Sequence, residues 1–201
     1  MSYNDIYLKD LKKFKNKKAL ILENGQTITY NQLDKEAETL SKKLPTRKKL
    51  IFLLGENNFE TIVGYLAFIK KGFTVAILDT KINNFFLKNL IKLYKPSLIF
   101  CSKNKKIIFK KFKVITKYKS FVLNQNLNEK EYKINKDLML LMSTSGTTGS
   151  PKFVRQSHAN IVANTKSVVK YLKINNKDIT ITSLPFSYVY GLSVINSHLY
   201  S

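Results

Sequence analysis

The sequence predicts an α/β fold, built from βαβ units around a largely parallel sheet. Three observations carry that expectation. Short continuous apolar runs at 50–54, 73–78 and 98–101 show no alternation with polar residues, as strands buried on both faces do. Between them lie stretches of helical length, one placing Phe59, Ile62, Val63, Leu66 and Ile69 on a single face, the other running from about Asn83 to Tyr94. Gly72 and Pro96 then separate helix from strand, which is the punctuation of repeated parallel crossovers.

The remaining elements follow in order. Ala19 to Leu22 and Thr27 to Thr29 flank Asn24-Gly25, a pair suited to a tight turn, and predict a hairpin. A helix is expected from Asn31 to about Leu44, with Leu33, Ala37, Leu40 and Leu44 on one face and Pro45 as its stop. Asn57 or Asn58 is placed to cap the next helix. From Lys103 to Lys136 the periodicity weakens: 107–109, 113–115 and 121–123 read as short strands or excursions, and Asn124 to Lys136 as a polar loop. Leu138 to Met142 is a strand and Lys152 to Gln156 a short extended segment. Ala159 to Leu172 is a helix capped by Ser157, with Ile161, Val162, Thr165, Val168, Val169 and Leu172 on its apolar side. A strand is expected from Asp178 to Leu184, then a helix-like stretch from Gly191 to Leu199, inside which the sequence stops.

Composition narrows the classes. Of 201 residues, 44% are hydrophobic and 24% charged, and the apolar ones run through the whole length, which argues against disorder. One cysteine, Cys101 within Leu98-Ile99-Phe100-Cys101, allows no intramolecular disulfide and reads as a buried thiol of a reducing, cytoplasmic compartment. The first 18 residues lack a signal peptide's apolar core, and the run 61–69 is too short to span a bilayer. A net charge of +22 raises the possibility of a nucleic-acid module. Only Arg47 and Arg155 are arginines, however, so the bidentate forks of base and phosphate recognition are nearly missing, and the excess lysine reads as solvated surface.

The chemistry concentrates in Leu138-Met-Leu-Leu-Met-Ser-Thr-Ser-Gly-Thr-Thr-Gly-Ser-Pro-Lys152, a buried strand running into a loop of Ser, Thr and Gly. Gly146 and Gly149 let backbone N–H groups approach a phosphate, while Thr144, Ser145, Thr147 and Thr148 offer hydroxyl donors. Lys152 supplies a cation for terminal phosphates. The triphosphatase P-loop pattern fails, because the glycines stand three apart, Pro151 intervenes and Phe153 follows the lysine. A flexible linker is the plain alternative, disfavoured between a buried strand and a capped helix.

The string Ser143 to Lys152 resembles the phosphate-binding signature of the AMP-dependent synthetase and ligase family, the adenylate-forming enzymes. Thr27-Ile-Thr-Tyr30-Asn-Gln-Leu33, Tyr65-Leu-Ala-Phe-Ile-Lys-Lys-Gly72 and Leu184-Pro-Phe-Ser-Tyr-Val-Tyr-Gly-Leu192 resemble three more of its motifs, in order, over about residues 19–200. The resemblance implies that a carboxylate attacks the α-phosphorus of Mg-ATP, giving acyl-AMP and pyrophosphate, after which a thiol takes the acyl group. It implies ATP and Mg2+ as cofactors, coenzyme A or a carrier-protein pantetheine as acceptor, a small carboxylic acid as substrate, and no nucleic acid. Thr144, Ser145, Gly146, Thr147, Thr148, Gly149 and Lys152 match the triphosphate-binding positions, with Lys152 the catalytic cation; Tyr188 and Gly191 match the acyl-side motif, a core tyrosine on a strand-to-helix turn being the alternative reading of Tyr188. No metal-ligating residue, and no chemistry for His158 or His198, is expected. Two departures stand out: Phe153 where the family usually has Gly, which would strain a left-handed backbone there, and Tyr188 where it often has His. The family's adenine, ribose and C-terminal catalytic-lysine motifs lie beyond the matched region. The expectation is therefore a partial N-terminal domain over 1–201, inactive alone. A non-catalytic remnant, or one subunit of a split enzyme, is the alternative.

Overall fold

The computed structural model describes residue 11 and residues 14–105, 111–129, 132–143 and 153–201. Strands β1 (Lys18–Ile21) and β2 (Thr27–Thr29) form the expected antiparallel hairpin. Thr29 then caps helix α1 (Tyr30–Lys42): its hydroxyl accepts from the Gln32 N–H, while Gln32 Oε1 accepts from the Thr29 N–H, a capping box that satisfies both ends of the turn.

The centre of the molecule is a seven-stranded sheet in the order β6-β7-β5-β3-β4-β8-β9. Strands β3 (Leu50–Gly55), β4 (Thr74–Asp79), β5 (Leu98–Ser102) and β8 (Leu138–Ser143) are mutually parallel, as their uninterrupted apolar runs require. The sheet as a whole is mixed, because β6 (Phe112–Tyr118) and β7 (Phe121–Asn126) add a hairpin beside β5, and β9 (Phe153–Ser157) returns antiparallel to β8. The weakly periodic region is thus strand over 112–118 and 121–126; the expected strand at 107–109 lies outside the described residues.

The polar loop expected from Asn124 begins later. Asn124 sits in β7, 5% exposed, and its amide donates to the Ile99 carbonyl and contacts Cys101 Sγ. A polar residue hides in a strand when its hydrogen bonds are met inside, which sequence polarity alone does not reveal.

The connecting helices cover both faces. Ile51, Leu53, Val75, Ile77, Leu98 and Phe100 share one core with α1, with α2 (Phe59–Lys70) and with α5 (Val189–Tyr200). The alternate residues Phe52, Leu54, Ala76, Leu78, Ile99 and Cys101 share the other with α3 (Asn84–Tyr94). Helix α2 ends in a Schellman motif. Gly72 at φ 76° donates to Ile69, and the Phe73 N–H reaches the Phe68 carbonyl, a left-handed turn that glycine adopts without Cβ conflict.

Helix α4 (His158–Leu172) starts at Ser157 as the sequence predicts, with Asn160 completing a capping box. Its apolar side is only partly used. Thr165 is buried and Ile161 and Val162 join the core, whereas Leu172 is 59% exposed. The strand expected over Asp178–Leu184 is absent: the segment carries no regular structure, and Ile179 and Ile181 are 82% and 84% exposed. Alternation makes a chain suitable for a sheet, but a strand exists only through a neighbour to pair with, and no described strand lies beside this one.

Candidate functional site

Strands β3, β4 and β8 end together. Gly55 pairs with Asp79, and Ser143 lies one step beyond the Ile77–Met142 pair. In parallel α/β sheets the crevice outside these carboxyl ends is where ligands bind. The Ser/Thr/Gly segment leaves the sheet at this edge. Thr144, Ser145, Gly146, Thr147, Thr148, Gly149 and Lys152 themselves lie outside the described residues. Their flanks are described: Ser143 and Phe153 pair across β8 and β9.

The strand before the segment and the residue after it are both held from the core. The Thr74 hydroxyl and Lys48 Nζ both donate to the Leu138 carbonyl at the start of β8, at 2.9 and 2.7 Å, and Lys48 also reaches the Lys136 carbonyl. Burial lowers the Lys48 ammonium pKa to about 8, against the opposing pull of Asp137. Phe153 is seated between rings, 4.7 Å from Tyr94 and 6.2 Å from Phe52 between centroids. It is not among the positive-φ residues, so a side chain stands at this position without the strain expected from the family's glycine.

Tyr188 and Gly191 come together in the turn that opens α5. Tyr188 is the N-cap, with no side-chain cap bond and 55% of its surface exposed. Its N–H donates to the Pro185 carbonyl, and its own carbonyl accepts from Leu192. Gly191 is buried against that same Pro185 carbonyl. A Cβ there would lie 2.3 Å from the oxygen and 2.9 Å from that of Leu184, so the residue matters through close backbone approach. Beneath the turn Phe186 is 2% exposed, edge-on to Tyr65 at 5.4 Å.

A cleft of about 1030 Å³ opens beside this turn, between the β1–β2 hairpin, the start of α2, residues 178–184 and α5. Gly191 and Phe186 line it, with Glu56, Asn57 and His198; Tyr188 is not in its wall. His198 Nδ1 lies 2.9 Å from the Val194 carbonyl, a contact within its own helix, and His158 opens α4 with its N–H on the Asp137 carbonyl. Cys101 is fully buried, and burial, opposed by Asn124 and Lys105, pushes its thiol up to about 11, which suits a structural thiol. Asn57, expected only as an alternative cap, makes side-chain hydrogen bonds to residues far along the chain, at 182, 184 and 186. Helix α2 is capped by Asn58, whose Oδ1 accepts from the Thr61 N–H. Among the described residues no helix is long and apolar enough to cross a membrane, and no three His, Cys, Asp or Glu side chains gather as a metal site.

Comparison with known proteins fits this architecture. The sequence profile of the family described as AMP-binding enzyme matches residues 8–201. A D-alanine--D-alanyl carrier protein ligase of Staphylococcus aureus is 29% identical over 163 residues, which is 80% of this chain and 33% of that protein. ATP-bound MatB from Rhodopseudomonas palustris superposes with a TM-score of 0.78 at 22% identity, covering 100% of this chain and 44% of that one. The o-succinylbenzoate coenzyme A synthetase of Bacillus subtilis in complex with AMP gives 0.75 at 21% identity, covering 96% and 52%. The chain spans about a third of the length of the curated relatives it matches.

Proposed function

The chain belongs to the AMP-binding enzyme family, and from that membership we propose that it supplies the phosphate-binding half-site of an adenylate-forming ligase. The reaction is attack of a small carboxylate on the α-phosphorus of Mg-ATP, releasing pyrophosphate, then transfer of the acyl group from AMP to the thiol of coenzyme A or a carrier-protein pantetheine. The observation that carries this reading is the matched profile, together with the point at which the Ser/Thr/Gly segment leaves the sheet, at the carboxyl edge of β8.

In this proposal Thr144, Ser145, Thr147 and Thr148 donate hydroxyl hydrogen bonds, and Gly146 and Gly149 bring backbone N–H groups close to non-bridging oxygens. Lys152 faces the charge that builds on pyrophosphate as it leaves. Such donors fit a polyanion that brings its own Mg2+, since that ion keeps phosphate oxygens and waters as most of its ligands. Tyr188 and Gly191 belong to the acyl side, Tyr188 through its exposed ring and Gly191 through the turn it permits.

The test is calorimetric titration of the 201-residue chain with Mg-ATP and with pyrophosphate. Lys152→Ala should weaken both by about tenfold or more, the value of one charge-assisted contact. Should the chain instead be a basic nucleic-acid module, binding to duplex DNA would fall steeply with salt and ignore Lys152→Ala, because many lysines share the counterion release.

A further inference from the structure

We propose that Asn57 is a positioning residue, which clamps the wall of the cleft and thereby sets the turn that carries Tyr188. Its side-chain Nδ2 donates to the carbonyls of Thr182 and Leu184 at 2.6 and 2.8 Å, and its Oδ1 accepts from the Phe186 N–H at 2.8 Å. The amide thus reads residues 182, 184 and 186 as a neighbouring strand would. Only one orientation of the amide satisfies two carbonyls and one N–H at once, so its oxygen and nitrogen are assigned by their partners.

Nothing else among the described residues ties this stretch to the sheet by hydrogen bonds. Ile179, Thr180, Ile181 and Ser183 have no hydrogen-bond partner there. The lower end is fixed locally, where Asp178 accepts from the Asn175 backbone and side-chain amides. The upper end is fixed by Phe186 under Tyr65 and by Gly191 against Pro185. Asn57 holds the span between, and it sits two residues past the carboxyl end of β3.

Packing does not account for the clamp. Ile179 and Ile181 are almost fully exposed, so holding them in place buries little apolar surface. The two adjacent asparagines divide the work. Asn58 uses its oxygen on its own helix, while the Asn57 amide is spent on residues 125 to 129 positions away. The held segment and Asn57 both line the 1030 Å³ cleft, so its width follows the clamp.

This inference rests on assigning the 184–192 turn to the acyl side, and its test is separable from that assignment. The chain has no tryptophan, so Tyr188→Trp gives a single fluorescent reporter on the turn. In that background Asn57→Ala should lower the anisotropy of the reporter indole and speed amide exchange of Phe186 by about tenfold, the loosening expected of a local opening, while the melting temperature stays close to the parent. Asn57→Asp keeps the acceptor for Phe186, so it should loosen residues 182–184 and leave the Phe186 amide protected. Asn58→Ala should lower the melting temperature without changing the reporter anisotropy. Unchanged anisotropy and exchange in both Asn57 variants would overturn the clamp. So would loosening that occurs only through global unfolding. Lys152→Ala leaves these readouts unchanged, so loss of Mg-ATP binding and loss of the clamp are scored independently.

Discussion

Gly191 shows how a single residue fixes a site through what it lacks. With a Cβ it would sit 2.3 Å from the Pro185 oxygen, a backbone atom that cannot swing aside. Gly191→Ala is therefore expected to destabilise the fold by about 1–3 kcal/mol, read by urea unfolding, as overpacking does. Lys48 gives a pH-dependent case. Its folded pKa, about 8, lies below its ordinary value of 10.5, so between these values the unfolded chain binds more protons and stability rises with pH. Denaturation midpoints across pH 8 to 10.5 should climb in the parent and be flatter in Lys48→Met. At this scale the sequence is a partial guide. The motif resemblance points to Gly191 and Tyr188, but Asn57 carries no such signal, because its partners lie more than 120 residues away. Only the fold brings them within reach.

Elements are legible wherever burial imposes a period. The three central strands and all five described helices begin or end within about two residues of the sequence reading, the usual scatter of element ends. The fifth, α5, starts two residues earlier than expected, because Tyr188 provides no capping side chain to mark it. Strands β6 and β7 are harder: β6 is an edge strand with a mostly exposed face, and β7 ends in the polar run Asn124-Gln125-Asn126, so both give a weak signal. The segment 178–184 misleads in the opposite direction: its alternation is real, but no described strand pairs with it. Helix ends also store correctable strain. Lys173 closes α4 at φ 53°, a left-handed conformation that costs a side-chain-bearing residue. Lys173→Gly should therefore raise stability by about 0.5–1 kcal/mol, the relief net of glycine's extra chain entropy, measurable as a higher unfolding midpoint.

Across the whole molecule, two cores clamp one sheet, and the parallel strands end at the edge from which the Ser/Thr/Gly segment departs. The helices of the first core are stitched through α5, where the Tyr65 hydroxyl donates to Asn196 and the Tyr30 hydroxyl to the His198 carbonyl. Many of the apolar residues left exposed gather late in the chain, at Tyr171, Leu172, Ile179, Ile181, Val189 and Tyr190. The curated relatives are about three times as long as the part of them that this chain matches. The property proposed for these 201 residues is narrower: they grip the phosphate tail of a nucleotide. Isothermal titration of Mg-ATP into the parent and into Lys152→Ala, at matched ionic strength, measures it directly. Saturable one-to-one binding is expected, weakened about tenfold or more by the substitution. Equal heats from both proteins, or binding that vanishes with moderate salt regardless of Lys152, would contradict it.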